Sequence, residues 1–101
     1  MGSVQEFFEG LPGRVDPERI TGMSNTYVFD IDDVGTWTVA IADGAITVSE
    51  GAGDADCTFS ASEESFEKII AGEQNPTTAY MTGKLKIKGD MGAAMKLQKL
   101  F

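Results

Sequence analysis

The chain has no histidine and only one cysteine, Cys57, among its 101 residues. Without histidine, Ser-His-Asp and Cys-His nucleophilic catalysis lack their base, and the commonest transition-metal ligand is missing. A single cysteine excludes an internal disulfide and any zinc site built from several thiolates. With nothing to activate its thiol, Cys57 reads as a small buried hydrophobe. No catalytic group, no metal site and no cofactor is therefore expected. The glycine pair in Gly51-Ala52-Gly53 lacks the third glycine and the following helix of a dinucleotide fingerprint. No apolar run approaches the roughly 18 residues of a membrane-spanning helix, and no basic-then-apolar leader opens the chain, so a cytoplasmic location is expected.

Basic residues are also scarce until the end. Residues 1–83 hold fifteen acids against Arg14, Arg19 and Lys68, whereas residues 84–101 hold five lysines and one acid, Asp90, within a net charge of −8. So acidic a body repels nucleic acid. Lys84, Lys86, Lys88, Lys96 and Lys99 form a basic end suited to transient contact with an anionic membrane, where each lysine adds about 1 kcal/mol. The plainer reading is that lysines on a strand's wet face block edge pairing and those late in a helix favour its dipole.

What is present reads as one α/β domain. Ser3-x-x-Glu6 is a capping box ahead of Val4, Phe7, Phe8 and Leu11, which predicts a helix over residues 3–11 stopped by Pro12-Gly13. Asp16-Pro17 offers one further turn. Tyr27, Phe29 and Ile31, then Trp37, Val39 and Ile41, alternate with polar or small residues, and Asp43-Gly44 turns the chain towards Ile46 and Val48. Cys57, Phe59 and Ala61 mark a fourth strand. Ser62 caps a helix with Phe66, Ile69 and Ile70 on one stripe, and Asn75-Pro76 opens a short helix carrying Tyr80 and Met81. Lys84-Leu85-Lys86-Ile87-Lys88 alternates as a fifth strand, and Asp90 caps a last helix. Its apolar arc, with Met91, Ala94 and Met95 beside Ala93, Leu97, Leu100 and Phe101, spans roughly 220°, against about 100° for a helix that packs on one core. A second helix, a partner subunit or an apolar ligand would cover the excess. The connection from the fourth strand to the fifth is long enough for a crossover, so a mixed, mostly antiparallel sheet with helices on one face is expected.

Ala55-Asp56-Cys57-Thr58, then Asn75-Pro76 with Tyr80, then the ungapped block from Gly83 to Leu100 resemble the sterol carrier protein type 2 family. Gly35-Thr36-Trp37 and Asp43-Gly44 also match, and the order of elements agrees from Ser3 to Phe101. The resemblance implies a five-stranded α/β domain without a catalytic centre, enclosing an apolar tunnel between sheet and helices. The implied ligand is a fatty acid, an acyl-CoA ester, a sterol, a phospholipid or an isoprenoid. Matching family positions carry the implied lining onto Trp37, Phe66, Ile70, Tyr80, Met81, Ile87, Met91, Met95 and Leu100. The implied molecule is a monomer or weak homodimer whose tunnel mouth, without the tail of many family members, is open or lidded by a second subunit. The alternative is an assembly or regulatory module that turns the same apolar patch towards a protein partner.

Overall fold

The computed structural model describes residues 3–14 and 17–97. Five strands, β1 (Asn25–Ile31), β2 (Gly35–Ala42), β3 (Ala45–Glu50), β4 (Cys57–Ala61) and β5 (Leu85–Gly89), form one sheet in the order β3-β2-β1-β4-β5. β1 and β4 run parallel, and every other pair is antiparallel. The sheet is mixed as expected, but not through the connection expected to cross over: β4 and β5, joined through the helices, are antiparallel neighbours, and the parallel pair β1–β4 arises because residues 51–56 carry the chain from β3 at one edge past β2 and β1 to β4. Helix α1 (Ser3–Arg14) precedes the sheet, α2 (Glu63–Ile70) and α3 (Pro76–Met81) join β4 to β5, and α4 (Met91–Leu97) follows β5.

Register puts one apolar face on all five strands. Phe29 pairs with Trp37 on one side and Phe59 on the other, Phe59 pairs with Ile87, and Val39 pairs with both Tyr27 and Val48. The opposite face carries Thr36, Thr38, Thr58, Ser60, Lys86 and Lys88. One dry face and one wet face follow from the period of two, so helices are needed on one side only. Among the described residues, no helix is long and apolar enough to cross a membrane.

Of the caps foreseen from residue type, those of α2, α3 and α4 are made, whereas Ser3 stands as the first residue of α1 itself and Asp16 lies outside the described residues. Ser62 Oγ accepts from Ser65 N at 3.2 Å, Asn75 Oδ1 from Thr78 N at 3.3 Å, and Asp90 Oδ1 from Gly92 N at 2.8 Å. In the β2–β3 hairpin, Asp43 and Gly44 both hold positive φ, 54° and 74°. That backbone matches the twist of the flanking strands. One boundary is corrected: α1 does not stop before Pro12 but continues to Arg14. Proline within the last turn only removes the N–H that would have bonded Phe8, while the buried stripe of Val4, Phe7, Phe8 and Leu11 anchors the helix on the sheet.

The centre of the core is aromatic. Phe8 of α1 stacks on Trp37 (centroids 4.6 Å apart, 16° between planes) and on Phe66 (5.5 Å, 10°), and lies 5.2 Å from Phe29. Phe29 in turn stacks on Phe59 at 5.1 Å. Each such pair adds about 0.5–1.5 kcal/mol beyond the area it buries. These rings fasten α1, α2 and three strands together.

Candidate functional site

The nine positions implied by the resemblance fall in distinct environments. Trp37 and Phe66 are buried against Phe8 in the aromatic centre. Ile70 is half-buried and lines an open groove of about 580 Å³ between α1 and α2, floored also by Phe7 and Ala71 and rimmed by Glu6, Glu64 and Glu73. A second cleft, about 410 Å³, lies between α1 and the β2–β3 pair, where Phe8, Pro12, Trp37, Ile46 and Val48 supply its apolar wall. Ile87 is half-buried on the helix-covered face of β5. Among the described residues, Tyr80, Met81, Met91 and Met95 are the exposed large apolar side chains, at 42, 79, 41 and 67%. Leu100 and Lys99 lie outside the described residues.

That exposure revises the picture of α4. The inward residues are Ala93 and Ala94, both buried, while Met91 and Met95 turn outward. Of the predicted apolar arc, nothing among the described residues covers the methionine side; Leu100 and Phe101 lie outside those residues. The buried alanines lie on the side of the helix that two distant strands hold by hydrogen bonds. Tyr27, buried on β1, donates its hydroxyl to the Ala93 carbonyl at 2.7 Å, and Cys57 Sγ donates to the Asp90 carbonyl at 3.0 Å. Asp90 N donates to the Asp56 carbonyl at 2.8 Å, and the Asp56 carboxylate accepts from Thr26 N at 2.8 Å. The N-terminal end of α4 is therefore stitched to β1 and β4 by polar contacts rather than by large apolar side chains.

Burial, reinforced by Cys57, Asp56 and Asp90, pushes the Tyr27 phenol up to about 12. Burial also raises the Cys57 thiol, with Asp90 and Asp56 adding to it. Both groups thus remain protonated donors, and Cys57 is no thiolate nucleophile. A stability consequence follows. The unfolded chain releases the Tyr27 proton near pH 10, whereas the folded chain keeps it to about 12, so the folded state binds more protons in that interval and stability falls as pH rises through it. Chemical denaturation between pH 9 and pH 12 should show this decline in the wild type and a flatter profile in Tyr27→Phe. That variant should itself be less stable at neutral pH by about 1 kcal/mol, for the lost hydrogen bond.

Two residues are not singled out for the site by the sequence. Phe8 was visible only as one member of a helical stripe, and Tyr27 only as an inward strand residue whose polar tip had no foreseeable partner. Asn25, which with Arg14 and Arg19 is a sequence candidate for holding a ligand's polar end, stands on the apolar face of β1 by its pairing with Ile41, and its Oδ1 is buried with no hydrogen-bond partner among the described residues. A buried acceptor without a donor is a costly feature that a ligand hydroxyl would relieve. Among the described residues no cluster of carboxylate or thiol side chains could hold a metal ion.

Comparison with known proteins follows the same lines. The family model described as the SCP-2 sterol transfer family matches residues 5–101. The hydroxysteroid dehydrogenase-like protein 2 of Danio rerio is 36% identical over 103 residues, an alignment covering 98% of this chain and 25% of that protein. The chain thus spans about a quarter of the length of the curated relatives it matches. The solution structure of the sterol carrier protein domain 2 of Helicoverpa armigera superposes with a TM-score of 0.77 at 30% identity, over 96% of this chain and 81% of that one. The sec-alkylsulfatase Pisa1 from Pseudomonas sp. contains the same fold, with a TM-score of 0.85 at 23% identity, over the whole of this chain and 17% of its own.

Proposed function

The chain belongs to the SCP-2 sterol transfer family, a family of lipid-binding domains, and from that premise we propose that it holds a long apolar ligand between its helices and the dry face of its sheet, without catalysing a reaction. The ligand is a fatty acid, an acyl-CoA ester, a sterol or an isoprenoid. The observation that carries this reading is the apolar surface left over at the β5 edge: Tyr80 and Met81 on α3, Met91 and Met95 on α4, and half-buried Ile87 on the strand that both helices touch. Methionine suits such a lining because its unbranched thioether adapts to a flexible guest. Burying a chain of about 14 carbons at about 0.8 kcal/mol each gives roughly 11 kcal/mol before association and ordering costs, which bring affinity towards micromolar. The orphaned Asn25 acceptor favours a ligand whose polar end can donate, such as a sterol hydroxyl or a protonated acid.

Titration of a fluorescent fatty acid, with displacement by palmitate, palmitoyl-CoA and cholesterol, tests the proposal. Saturable binding is expected, with a change in emission from Trp37, the chain's one tryptophan. Met95→Arg should leave the melting temperature unchanged, because Met95 is exposed, and weaken binding by about tenfold or more through loss of its apolar surface. Absence of binding by all these ligands would sink the reading. A second reading has support in Pisa1, where the same fold is part of a longer chain: the patch would then seat a neighbouring domain or a second copy. Sedimentation showing a concentration-dependent dimer that ignores added lipid would favour it.

A further inference from the structure

We infer that the β5 edge of the sheet, with Met81 of α3 and the lysines of β5 and α4, is a docking surface for an anionic lipid bilayer. The inference rests on the lipid-binding reading above and adds where and how the domain meets its lipid source. Three observations converge on this edge.

The first is the coincidence of two kinds of exposed group. β5 is an outermost strand, so both of its faces reach the same rim of the molecule. On the wet face, Lys86 and Lys88 stand opposite Ser60 and Thr58 of β4. On the dry face, α3 and α4 both lean on β5 and leave Tyr80, Met81, Met91 and Met95 exposed. A rim that offers apolar side chains beside cations matches the boundary between acyl chains and anionic headgroups.

The second is that the cations are free. Lys84, Lys86, Lys88 and Lys96 are exposed, and none is held in an ion pair among the described residues, where Lys68 on α2 pairs with Glu64 at 3.4 Å. The neighbouring acids are committed to backbone donors, Asp56 to Thr26 N and Asp90 to Gly92 N and Ala93 N. Among the described residues they make no ion pair with the lysines, and their negative charge offsets only part of the lysines' positive charge.

The third is polarity across the sheet. The opposite edge is β3, over which α1 lies with Glu6 and Glu9, and β3 itself ends at Glu50. An anionic surface attracts one edge and repels the other, so the long-range field orients the domain before contact. The edge it presents is the one where α3 and α4 flank Ile87.

The test is vesicle flotation at low ionic strength, comparing phosphatidylcholine vesicles with vesicles containing about 30 mol% phosphatidylserine. Wild-type protein is expected to float with the anionic vesicles alone and to be released as salt screens the lysines. Replacing Lys84, Lys86 and Lys88 together by glutamine should weaken the association on the order of a hundredfold, at about fivefold per lysine. Fatty-acid binding in vesicle-free solution should stay unchanged, because none of these three is assigned to the ligand. Met81→Glu should weaken vesicle association further at any salt concentration, and its exposure keeps the fold intact. Vesicle association that the lysine variant leaves unaltered would overturn the proposal. So would failure of the wild type to associate while it still binds fatty acid in solution, which would leave the lipid-binding reading standing. A dimer in sedimentation that Met81→Glu dissociates, with no vesicle association, would assign the edge to a second copy of the chain.

Discussion

Phe8→Ala is expected to remove about 3–5 kcal/mol of folding stability, as for other large-to-small changes at the centre of a core. Phe8 is fully buried and holds two stacked partners, Trp37 and Phe66, as well as Phe29. Small domains have only about 5–15 kcal/mol in total. The variant should therefore unfold at a much lower urea midpoint, with a slope little changed. Ligand turns this into a functional measurement. Lipid at a hundred times its dissociation constant stabilises the wild type by about 2.7 kcal/mol through mass action. Should the apolar chain lie beside the Phe8–Trp37 stack, it fills part of the space the ring vacates, and the variant gains more from lipid than the wild type does. Equal gains would place the chain away from this stack, towards α3 and α4.

What sequence could and could not show follows from the range of each interaction. Caps and turns are local, so Ser62, Asn75, Asp90 and Asp43-Gly44 were legible as residue types at fixed offsets, and each is made as expected. Strand faces were legible from alternation. Parallel pairing of β1 with β4 is not written in either strand, since it depends on residues 51–56 returning the chain from the β3 edge to the far side of β1; the long helical connection that suggested a crossover instead joins the antiparallel neighbours β4 and β5. Pro12 misled in the opposite sense, because a local breaking signal lost to the tertiary anchoring of Phe8 and Leu11.

The candidate site shows the same division. The oversized apolar arc of α4 was countable from its residues, but which part of it faces inward was not. The answer lies in two hydrogen bonds from distant strands, Tyr27 to Ala93 and Cys57 to Asp90, which hold the N-terminal end of α4 with its alanines inward and its methionines outward. The stretch of sequence could not reveal partners 66 and 33 residues away. The assignment of Trp37, Phe66 and the methionines to a ligand came from resemblance, and the structure distributes them over the core, a groove and an exposed rim. The outward methionines and the orphaned Asn25 are departures from tidy burial, and such departures are where function is expected to lie.

Gly89→Ala should be comparably damaging, although it adds a single methyl group. Gly89 closes β5 opposite Cys57 with φ at 113°, a region that side-chain-bearing residues rarely adopt. A Cβ there would collide with the Asp56 carbonyl oxygen and lie 3.0 Å from the Cys57 Cα, and both are backbone atoms that no rotamer change can move aside. The backbone strain costs about 1–2 kcal/mol and the overpacking about 1–3, for a combined loss near 3–4 kcal/mol. The damage should also be directional. The Asp56 carbonyl that would be displaced accepts from Asp90 N, and Asp90 caps α4 and receives the Cys57 thiol at its own carbonyl. Pushing β4 and β5 apart therefore unseats α4 before it disturbs the aromatic centre around Phe8. Amide exchange should register this as a selective loss of protection in residues 90–97 and at Cys57, with β1 and β2 still protected. Two results distinguish the roles of the strand junction: exchange confined to α4 makes Gly89 the point that positions the methionine rim, whereas uniform loss across the sheet makes it a general element of folding stability.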